Sequence, residues 1–179
     1  MALKSTIHKA ELTVSDLDRH HYETYALTLA RHPSETSERM MVRVLAFAMF
    51  ADEQLEFGKG LSTDDEPALW QKSLSGEIER WIEVGLPDER ILRRACGRAR
   101  EVVLIAYGGR AVGIWWEANR SACERLNNLR VMEVPQETSA ALGQMAEKNM
   151  SFTATIQDAH LLMASDTATV AVDCAMLKA

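Results

Sequence analysis

The sequence has little cysteine: only Cys96, Cys123 and Cys174 occur among its 179 residues. Their number is odd, they lie far apart, and no two of them form a CxxC pair. A disulfide framework needs cysteines in pairs, and a zinc knuckle needs closely spaced cysteines, so this pattern argues against both. Such cysteine usage is typical of the reducing cytoplasm, which is the location that we expect.

Long hydrophobic runs are also missing. The first residues, MALKSTIHKAELTV, lack the apolar stretch of a secretory signal peptide. No segment approaches the roughly 18 apolar residues that a membrane-spanning helix needs, so we expect no membrane association. The 47% hydrophobic content of the 179 residues suffices for one good core, and the sequence therefore predicts a single domain over residues 1–179.

Positive net charge is absent as well. The 20 Lys and Arg residues are outnumbered by 26 Asp and Glu residues, which gives a formal charge of -6. A protein that coats nucleic acid non-specifically needs a positive balance, so the net charge argues against that class. A local basic cleft is still compatible with the composition, because carboxylates that hold a metal ion would themselves lower the net charge.

Several well-known catalytic signatures do not occur. Gly108, Gly109 and Gly113 do not form GxGxxG, and no Lys-Ser/Thr pair follows them as a phosphate-binding loop requires. The 5 histidines show no metal-binding spacing, and no serine lies in a nucleophile elbow. Clustered acidic and basic side chains therefore remain as the candidates for chemistry.

Hydrophobic periodicity predicts an antiparallel first part. Apolar residues alternate along residues 4–14 and 22–30, which predicts a β-hairpin. Residues 35–51 have helical spacing, with Ser34 as the predicted N-cap and Glu35 in the first turn. A short strand at LEFGKG and a second hairpin, formed by ALWQKS and EIERWIEVG, come next.

Beyond Pro87 the pattern changes to alternating helices and strands. Helices are predicted over residues 88–99, 110–126 and 136–148, and continuous apolar strands over 101–107 and 129–134. Apolar strands that alternate with helices are typical of a parallel sheet buried on both faces. The tail returns to short alternating strands. The predicted class is α+β (mixed α/β), with a central mixed sheet flanked by helices and extra antiparallel strands.

Three acidic positions stand out. Glu83 ends a predicted strand on the face that also carries Trp81, and Glu38 shares the apolar face of the first helix. The acidic turn Asp64-Asp65 precedes the strand that an antiparallel hairpin brings beside Glu83. Each acid alone has an ordinary alternative, as a solvated strand, a partner of the helix dipole or a solvated turn. Together they would suit Mg²⁺ or Mn²⁺, which phosphodiester hydrolysis needs.

Basic side chains accompany these acids. Lys59 and Lys72 follow or lie on neighbouring strands, and either is a candidate for a lysine that stabilises charge on a phosphate. The last predicted basic group is an arginine row at helical spacing that could hold phosphates by bidentate contacts, namely Arg90, Arg94 and Arg98. The alternatives are ordinary surface lysines and a solvated helix face paired with Asp88, Glu89 or Glu101.

Four stretches of the sequence are specific enough to compare with known families, namely YALTLARHPSETSERMMVRVLAFA, LEFGKGLSTDDEPALW, WIEVGLPDE and CGRA. They resemble the YaeQ family of bacterial proteins, and the resemblance covers essentially the whole length. It implies a variation of the PD-(D/E)xK nuclease core, a restriction endonuclease-like fold in which a helix packs on a mixed sheet whose hairpin carries the acids. It implies no particular substrate.

The resemblance also implies roles for individual residues. Glu38 would be the helix acid, Asp65 in preference to Asp64 the motif aspartate, and Glu83 the acid of the (D/E)xK triplet. These three would be metal ligands and would act in catalysis with Lys59 or Lys72. The sequence departs from the pattern at two points, because Pro67 follows the acidic pair and Gly85 occupies the lysine position.

We therefore expect a metal-dependent, nuclease-like phosphodiesterase that acts on nucleic acid with Mg²⁺ or Mn²⁺. The alternative is a non-catalytic module that binds nucleic acid or protein on a degenerate nuclease scaffold, and Gly85 favours it. The grouping of three acids favours the enzyme, because a protein that only binds phosphates gains nothing from clustered negative charge. A third alternative is a structural protein whose acids only cap helices and solvate turns.

Overall fold

The computed structural model describes residues 4–59 and 65–179. The chain divides into two compact units. The first unit comprises Met1–Ala51 and Glu137–Asp173, and the second comprises Asp52–Gln136 and Cys174–Ala179. The expectation of one domain over residues 1–179 stays a prediction.

The first unit contains a five-stranded sheet. Its strands are β1 (Thr6–Asp16), β2 (His21–Arg31), β8 (Asn149–Gln157), β9 (His160–Ala164) and β10 (Thr169–Val172), in the order β10-β9-β8-β1-β2. The predicted hairpin of β1 and β2 is confirmed. β1 also pairs with β8 in parallel, whereas the remaining pairs are antiparallel. Burial alternates along β1, because successive side chains of a strand point to opposite faces of its sheet.

The helix α1 (Ser37–Met49) follows this hairpin. Every residue from Met40 to Ala48 is buried, so the helix is more deeply buried than an amphipathic pattern predicts. The predicted N-cap Ser34 is wrong. Thr36 has the extended backbone of a cap, and its hydroxyl oxygen accepts a hydrogen bond from the Arg39 N–H at 3.1 Å. Glu35 therefore precedes the helix instead of lying in its first turn.

The helix α4 comprises Gln136–Gln144. Its first residue, Gln136, belongs to the second unit, and the rest of the helix belongs to the first unit. Its predicted end at residue 148 is wrong. The Met145 N–H donates to the Leu142 carbonyl and the Ala146 N–H to the Gly143 carbonyl, at 3.0 and 3.3 Å. These short-range bonds close the helix before β8 begins.

The second unit contains a six-stranded sheet. Its strands are β3 (Leu55–Phe57), β4 (Leu69–Lys72), β5 (Ile78–Val84), β6 (Ala99–Ala106), β7 (Leu129–Glu133) and β11 (Ala175–Lys178), in the order β11-β7-β6-β5-β4-β3. The predicted hairpin of β4 and β5 is confirmed, and so is the parallel pairing of β6 with β7. β5 also pairs with β6 in parallel, which the sequence had not indicated.

Two helices pack on one face of this second sheet. They are α2 (Glu89–Arg98) and α3 (Arg110–Glu124), close to their predicted bounds. The buried core beneath them joins Trp81 of β5 and Leu104 of β6 to Leu92 of α2 and to Val112 and Cys123 of α3. Glu83 is on the Trp81 face of β5, since the two positions are two residues apart.

The predicted class of mixed α and β structure is confirmed, with the strands shared between two mixed sheets. The four helices found over residues 4–59 and 65–179 are all too short or too polar to cross a membrane. Of the acidic turn at residues 62–67, the structure describes residues 65–67, so Asp64 lies outside the described residues.

Candidate functional site

The β4–β5 hairpin determines where the candidate acids of the second unit lie. Leu69 pairs with Ile82 and Trp70 with Trp81, so the chain enters β4 at the end of the hairpin where Glu83 lies. Asp65 comes shortly before this entry point. Glu83 also lies beside Leu104 of β6, at the carboxyl ends of the parallel strands.

The Glu83 carboxylate binds a buried tryptophan. The Trp81 indole N–H donates to Glu83 Oε1 at 2.8 Å, and Trp81 is only 2% exposed. A carboxylate offers about four acceptor positions, so a single hydrogen bond from Trp81 does not saturate Glu83. The Trp81 face of β5 is covered by α2 and α3.

Two arginines of α2 contact Asp65, and one of them also contacts the same tryptophan. Arg98 Nη1 donates to the Asp65 carbonyl at 3.0 Å, and the Arg98 guanidinium lies 5.0 Å from the centre of the Trp81 ring. Arg94 Nη1 lies 3.9 Å from Asp65 Oδ1. We call Asp65, Trp81, Glu83, Arg94 and Arg98 the Trp81 cluster. Because Asp65 is 83% and Arg94 50% exposed, their ion pair is weak and its groups are accessible to a ligand.

The first turns of α2 continue this basic surface. Asp88 caps the helix by accepting from the Arg90 N–H at 2.8 Å, and this bond holds the pKa of the Asp88 carboxyl below its usual value. Arg90 also lies 3.4 Å from Asp88, and Arg93 lies 3.3 Å from Glu89. An open depression of about 490 Å³ is lined by Asp88, Arg90, Ile91, Arg93 and Arg94.

The two candidate lysines lie at different places on the hairpin. Lys59 is exposed and its backbone N–H donates to Glu66 Oε2 at 2.9 Å, which places it beside the Asp65 segment. Lys72 pairs with Ile78 at the opposite end of β4 from the Trp81 cluster. Its ammonium lies 3.7 Å from the centre of the Trp70 ring, where it makes a cation–π contact.

Gly85 has a backbone that explains the missing lysine. Its φ angle is +108°, and its N–H donates to the Ile105 carbonyl at 3.0 Å. A Cβ atom there would meet nothing within 4 Å, so space is not the obstacle. Residues with a side chain rarely adopt this φ, and a lysine at this position would therefore be strained.

Glu38 belongs to the first unit, whereas Asp65 and Glu83 belong to the second. It lies in the first turn of α1, as predicted, and accepts a hydrogen bond from the buried Ser139 hydroxyl at 2.5 Å. A Cβ atom on Gly143 would lie 3.1 Å from the Glu38 Cα atom, so α4 approaches this turn closely.

The first unit contains a buried acid that sequence reasoning missed. Glu35 is 3% exposed and binds Arg43 at 2.6 Å and also Arg39. Burial lowers the pKa of the Arg43 guanidinium, and the charge of Glu35 opposes that shift. The spacing of Glu35, Arg39 and Arg43 at i, i+4 and i+8 was visible in the sequence, as was an arginine inside an apolar run.

A second missed network crosses the three parallel strands of the second unit. Glu101 of β6 lies 2.7 Å from Arg80 of β5 and 2.7 Å from Arg130 of β7. Burial alone would raise the pKa of Glu101, but the hydrogen bond from Arg80 and the charges of both arginines outweigh it and lower that pKa. Glu101 thus pairs within the sheet and not with the arginine row of α2.

The grouping and the donor atoms of the acids decide which metal ion they could hold. Over residues 4–59 and 65–179, no three or more His, Cys, Asp or Glu side chains are grouped so that they could hold a metal ion. Glu83 and Asp65 offer carboxylate oxygens, which Mg²⁺ and Mn²⁺ prefer. Mg²⁺ commonly uses one or two carboxylates together with water and substrate phosphates, so this donor set fits a metal that arrives with a phosphate.

The fold and the Trp81 cluster define a mixed α+β protein with an acid–arginine surface at one hairpin. A family model described as YaeQ protein matches residues 1–174. The chain belongs to the YaeQ family. It is 48% identical over 166 residues to the uncharacterized protein YaeQ of Escherichia coli (strain K12), covering 93% of this chain and 92% of that protein.

Other relatives show the same extended match. The uncharacterized protein YaeQ of Salmonella typhi is 50% identical over 158 residues, which are 88% of this chain and 87% of that one. The crystal structure of YaeQ protein from Xanthomonas axonopodis pv. citri has a TM-score of 0.94 and 47% identity, covering 98% and 99% of the two chains. That from Pseudomonas syringae has a TM-score of 0.94 and 39% identity, covering 98% and 97%.

Proposed function

We propose that the protein is a metal-dependent phosphodiesterase of the PD-(D/E)xK nuclease type that acts on nucleic acid in the cytoplasm. The observation that carries this proposal is the Trp81 cluster. Trp81 donates a hydrogen bond to Glu83 and contacts Arg98, and Arg98 in turn binds Asp65. The mixed sheet supports the proposal, because Glu83 lies on the β4–β5 hairpin of that sheet and Asp65 lies shortly before β4, close to the placement that the resemblance to nucleases implies.

The arginines are the groups that meet phosphates. Arg94 and Arg98 lie next to each other on one face of α2, and a guanidinium forms paired hydrogen bonds to a phosphate. Stacking on Trp81 holds Arg98 in place, so less side-chain freedom is lost when a phosphate binds. In a chain with a net charge of -6, this surface supplies the local attraction that nucleic acid needs.

The acids are the proposed metal ligands. Glu83 and Asp65 each present carboxylate oxygen atoms, whereas Glu38 belongs to the first unit and its role as a ligand stays a prediction. A bound Mg²⁺ or Mn²⁺ would supply an activated water and would neutralise charge that develops on the phosphate. The Trp81 indole orients Glu83 by its hydrogen bond, so one oxygen of Glu83 has a fixed position.

The lysine of the nuclease pattern needs a substitute. Lys59 is the better candidate, because its backbone binds Glu66, the neighbour of Asp65, and its side chain is exposed. Lys72 is less suitable, because it lies at the opposite end of β4 and contacts Trp70. Arg94 and Arg98 also supply positive charge that can stabilise a phosphate.

A second candidate function is non-catalytic binding of nucleic acid at the same surface. Gly85 favours it, because the positive φ angle of this residue is unsuitable for the lysine that the nuclease pattern requires. In this case the arginine face of α2 binds phosphates, and Glu83 serves to position Trp81. Binding would then be salt-dependent and need no metal ion.

Calorimetric titration of Mn²⁺ distinguishes the two functions. The protein would be titrated beside Glu83→Gln, which keeps an oxygen for the Trp81 N–H but removes the charge. If the protein is the metal-dependent enzyme, Mn²⁺ is expected to bind about tenfold or more weakly to the variant, since a metal ligand has been neutralised. Cleavage of labelled DNA and RNA with Mn²⁺ would then be lost in Glu83→Gln as well.

The matched control is Glu79→Gln, on the same strand as Glu83 but paired with Arg100 at 3.3 Å. It is expected to bind Mn²⁺ like the unchanged protein. Nucleic-acid binding without Mn²⁺ binding, weakened by Arg94→Gln, would establish the second candidate. No binding of either ligand by the unchanged protein would contradict both functions.

A further inference from the structure

We propose that β2 is a docking edge for a second copy of this chain, which pairs with it antiparallel and joins the two five-stranded sheets. β2 runs from His21 to Arg31 and is the last strand of its sheet. Its partner on one side is β1, and no described strand lies on the other side. An exposed strand edge is a ready template for a further strand.

The direction of the backbone groups in β2 follows from bonds at β1. The Lys9 N–H donates to the Lys148 carbonyl at 2.9 Å, and the Leu17 N–H donates to the Ile156 carbonyl at 2.8 Å. The odd-numbered residues of β1 therefore face β8, and its even-numbered residues face β2. The even-numbered residues of β1 pair with odd-numbered residues of β2, whose backbone groups therefore point to β1. The even-numbered residues of β2 direct their N–H and C=O groups to the open edge, and they are Tyr22, Thr24, Ala26, Thr28 and Ala30.

One independent contact confirms this orientation. Arg43 Nη2 donates to the Ala30 carbonyl at 3.2 Å, so the Ala30 oxygen does point away from β1. In the part of the chain that the structure describes, no other hydrogen bond reaches the outward groups of Tyr22, Thr24, Ala26 and Thr28. All four residues are exposed.

β2 lacks the features that protect other edges. The remaining edge strands of the described residues are short: β3 has 3 residues, β10 has 4 and β11 has 4. β11 also carries Lys178 and a register irregularity. β2 has 11 residues, no proline, no lysine and an unbroken register with β1, although natural proteins usually blunt a long edge in one of these ways.

The sequence of β2 is complementary to itself. A two-fold axis at Ala26 would place Ala26 opposite Ala26 of the second copy, Thr24 opposite Thr28, and Tyr22 opposite Ala30. All ten outward backbone groups would then be paired. Thr–Thr pairs and a large residue opposite a small one are favourable neighbours across strands.

The charges of β2 also suit this register. Glu23 would lie opposite Leu29 of the second copy and diagonal to its Arg31, within reach of a long side chain. The exposed face of the strand carries no charge at all between Tyr22 and Ala30. A closed pair of this kind uses the same patch on both copies, which identifies a second copy of this chain as the occupant.

The test is sedimentation equilibrium of the full chain over a wide concentration range. We expect a dimer whose dissociation constant rises by about tenfold or more in Ala26→Lys, because two ammonium groups would face each other at the axis. The combination of Thr24→Glu with Thr28→Lys is expected to keep the dimer, because each pair then joins opposite charges. Thr24→Lys with Thr28→Lys is expected to be monomeric.

The control is Thr153→Lys, which adds the same charge to the same exposed face but on β8, inside the sheet. It should dimerise like the unchanged chain, and circular dichroism of every variant checks that it folds. A monomer at all concentrations, or a dimer that Ala26→Lys leaves intact, would overturn the proposal. Loss of the dimer in Thr153→Lys would likewise place the contact on the sheet face and not on the edge.

Discussion

Gly85 shows how one backbone angle can decide the chemistry that a position allows. The sequence alone indicates only that a lysine is missing where the nuclease pattern has one. The φ angle of +108° adds the reason, because this conformation is accessible to glycine and costly for a residue with a side chain. Restoring the lysine by mutation would therefore change the backbone as well as the charge.

We expect Gly85→Lys to lower the free energy of unfolding by about 1–3 kcal/mol, the usual cost of a strained backbone position. Urea denaturation measures this loss. The matched variant is Gly97→Lys, at an exposed glycine of α2 where a Cβ atom meets nothing within 4 Å. Since lysine favours a helix over glycine, it should raise stability by up to about 1 kcal/mol. Equal effects of both variants would contradict the backbone argument.

Element boundaries depend on local capping that can be tested directly. α1 begins after Thr36, whose hydroxyl binds the Arg39 N–H, although Ser34 and Thr36 are both suitable cap residues by type. Glu35, held between Arg39 and Arg43, fixes the segment just before the helix. The buried acid thus explains why the later residue becomes the cap.

Thr36→Ala should lower the free energy of unfolding by about 1 kcal/mol, because the Arg39 N–H loses its acceptor. Ser34→Ala, at an exposed position outside the helix, should change it by no more than about 0.5 kcal/mol. Urea denaturation of both variants is the measurement. A larger loss in Ser34→Ala than in Thr36→Ala would show that the cap has been assigned to the wrong residue.

At the scale of the whole molecule, acidic residues outnumber basic ones, yet arginines gather at two places in the second unit. One is α2, where they form part of the Trp81 cluster. The other is the strand network in which Arg80 and Arg130 flank Glu101. This network links three neighbouring parallel strands, so its charge state affects the stability of the folded chain as a function of pH.

The lowered pKa of Glu101 predicts the sign of this pH dependence. A carboxyl with a lower pKa in the folded state adds stability above its unfolded pKa and loses it as the pH falls through the folded value. We expect Glu101→Gln to be less stable than the unchanged chain at pH 7, and the gap to close in acid. Urea denaturation across this pH range tests the expectation.

The control for this prediction is Glu124→Gln, which breaks an exposed pair with Arg120. It should change stability little at any pH, because exposed ion pairs contribute weakly. A gap for Glu101→Gln that persists unchanged into acid would mean that packing, and not charge, makes the difference.

Much of the fold was predictable from local patterns. The hairpins of β1 with β2 and of β4 with β5 follow from alternating apolar residues separated by short turns. The alternation of helices and apolar strands after Pro87 predicted the parallel pairing of β6 with β7 in the second sheet. The pairing of β1 with β8 was missed, because it joins segments at opposite ends of the chain and no local pattern specifies such a partner.

The sequence by itself determined that Glu83 and Trp81 share a face of β5, because a strand repeats every two residues. It also determined the row of arginines on α2, because a helix returns to the same face after four residues. Only the tertiary structure decided that Arg98 stacks on Trp81 and binds Asp65, and that Glu35 and Arg43 form a buried pair. These contacts depend on how separate elements pack, whereas periodicity describes each element alone.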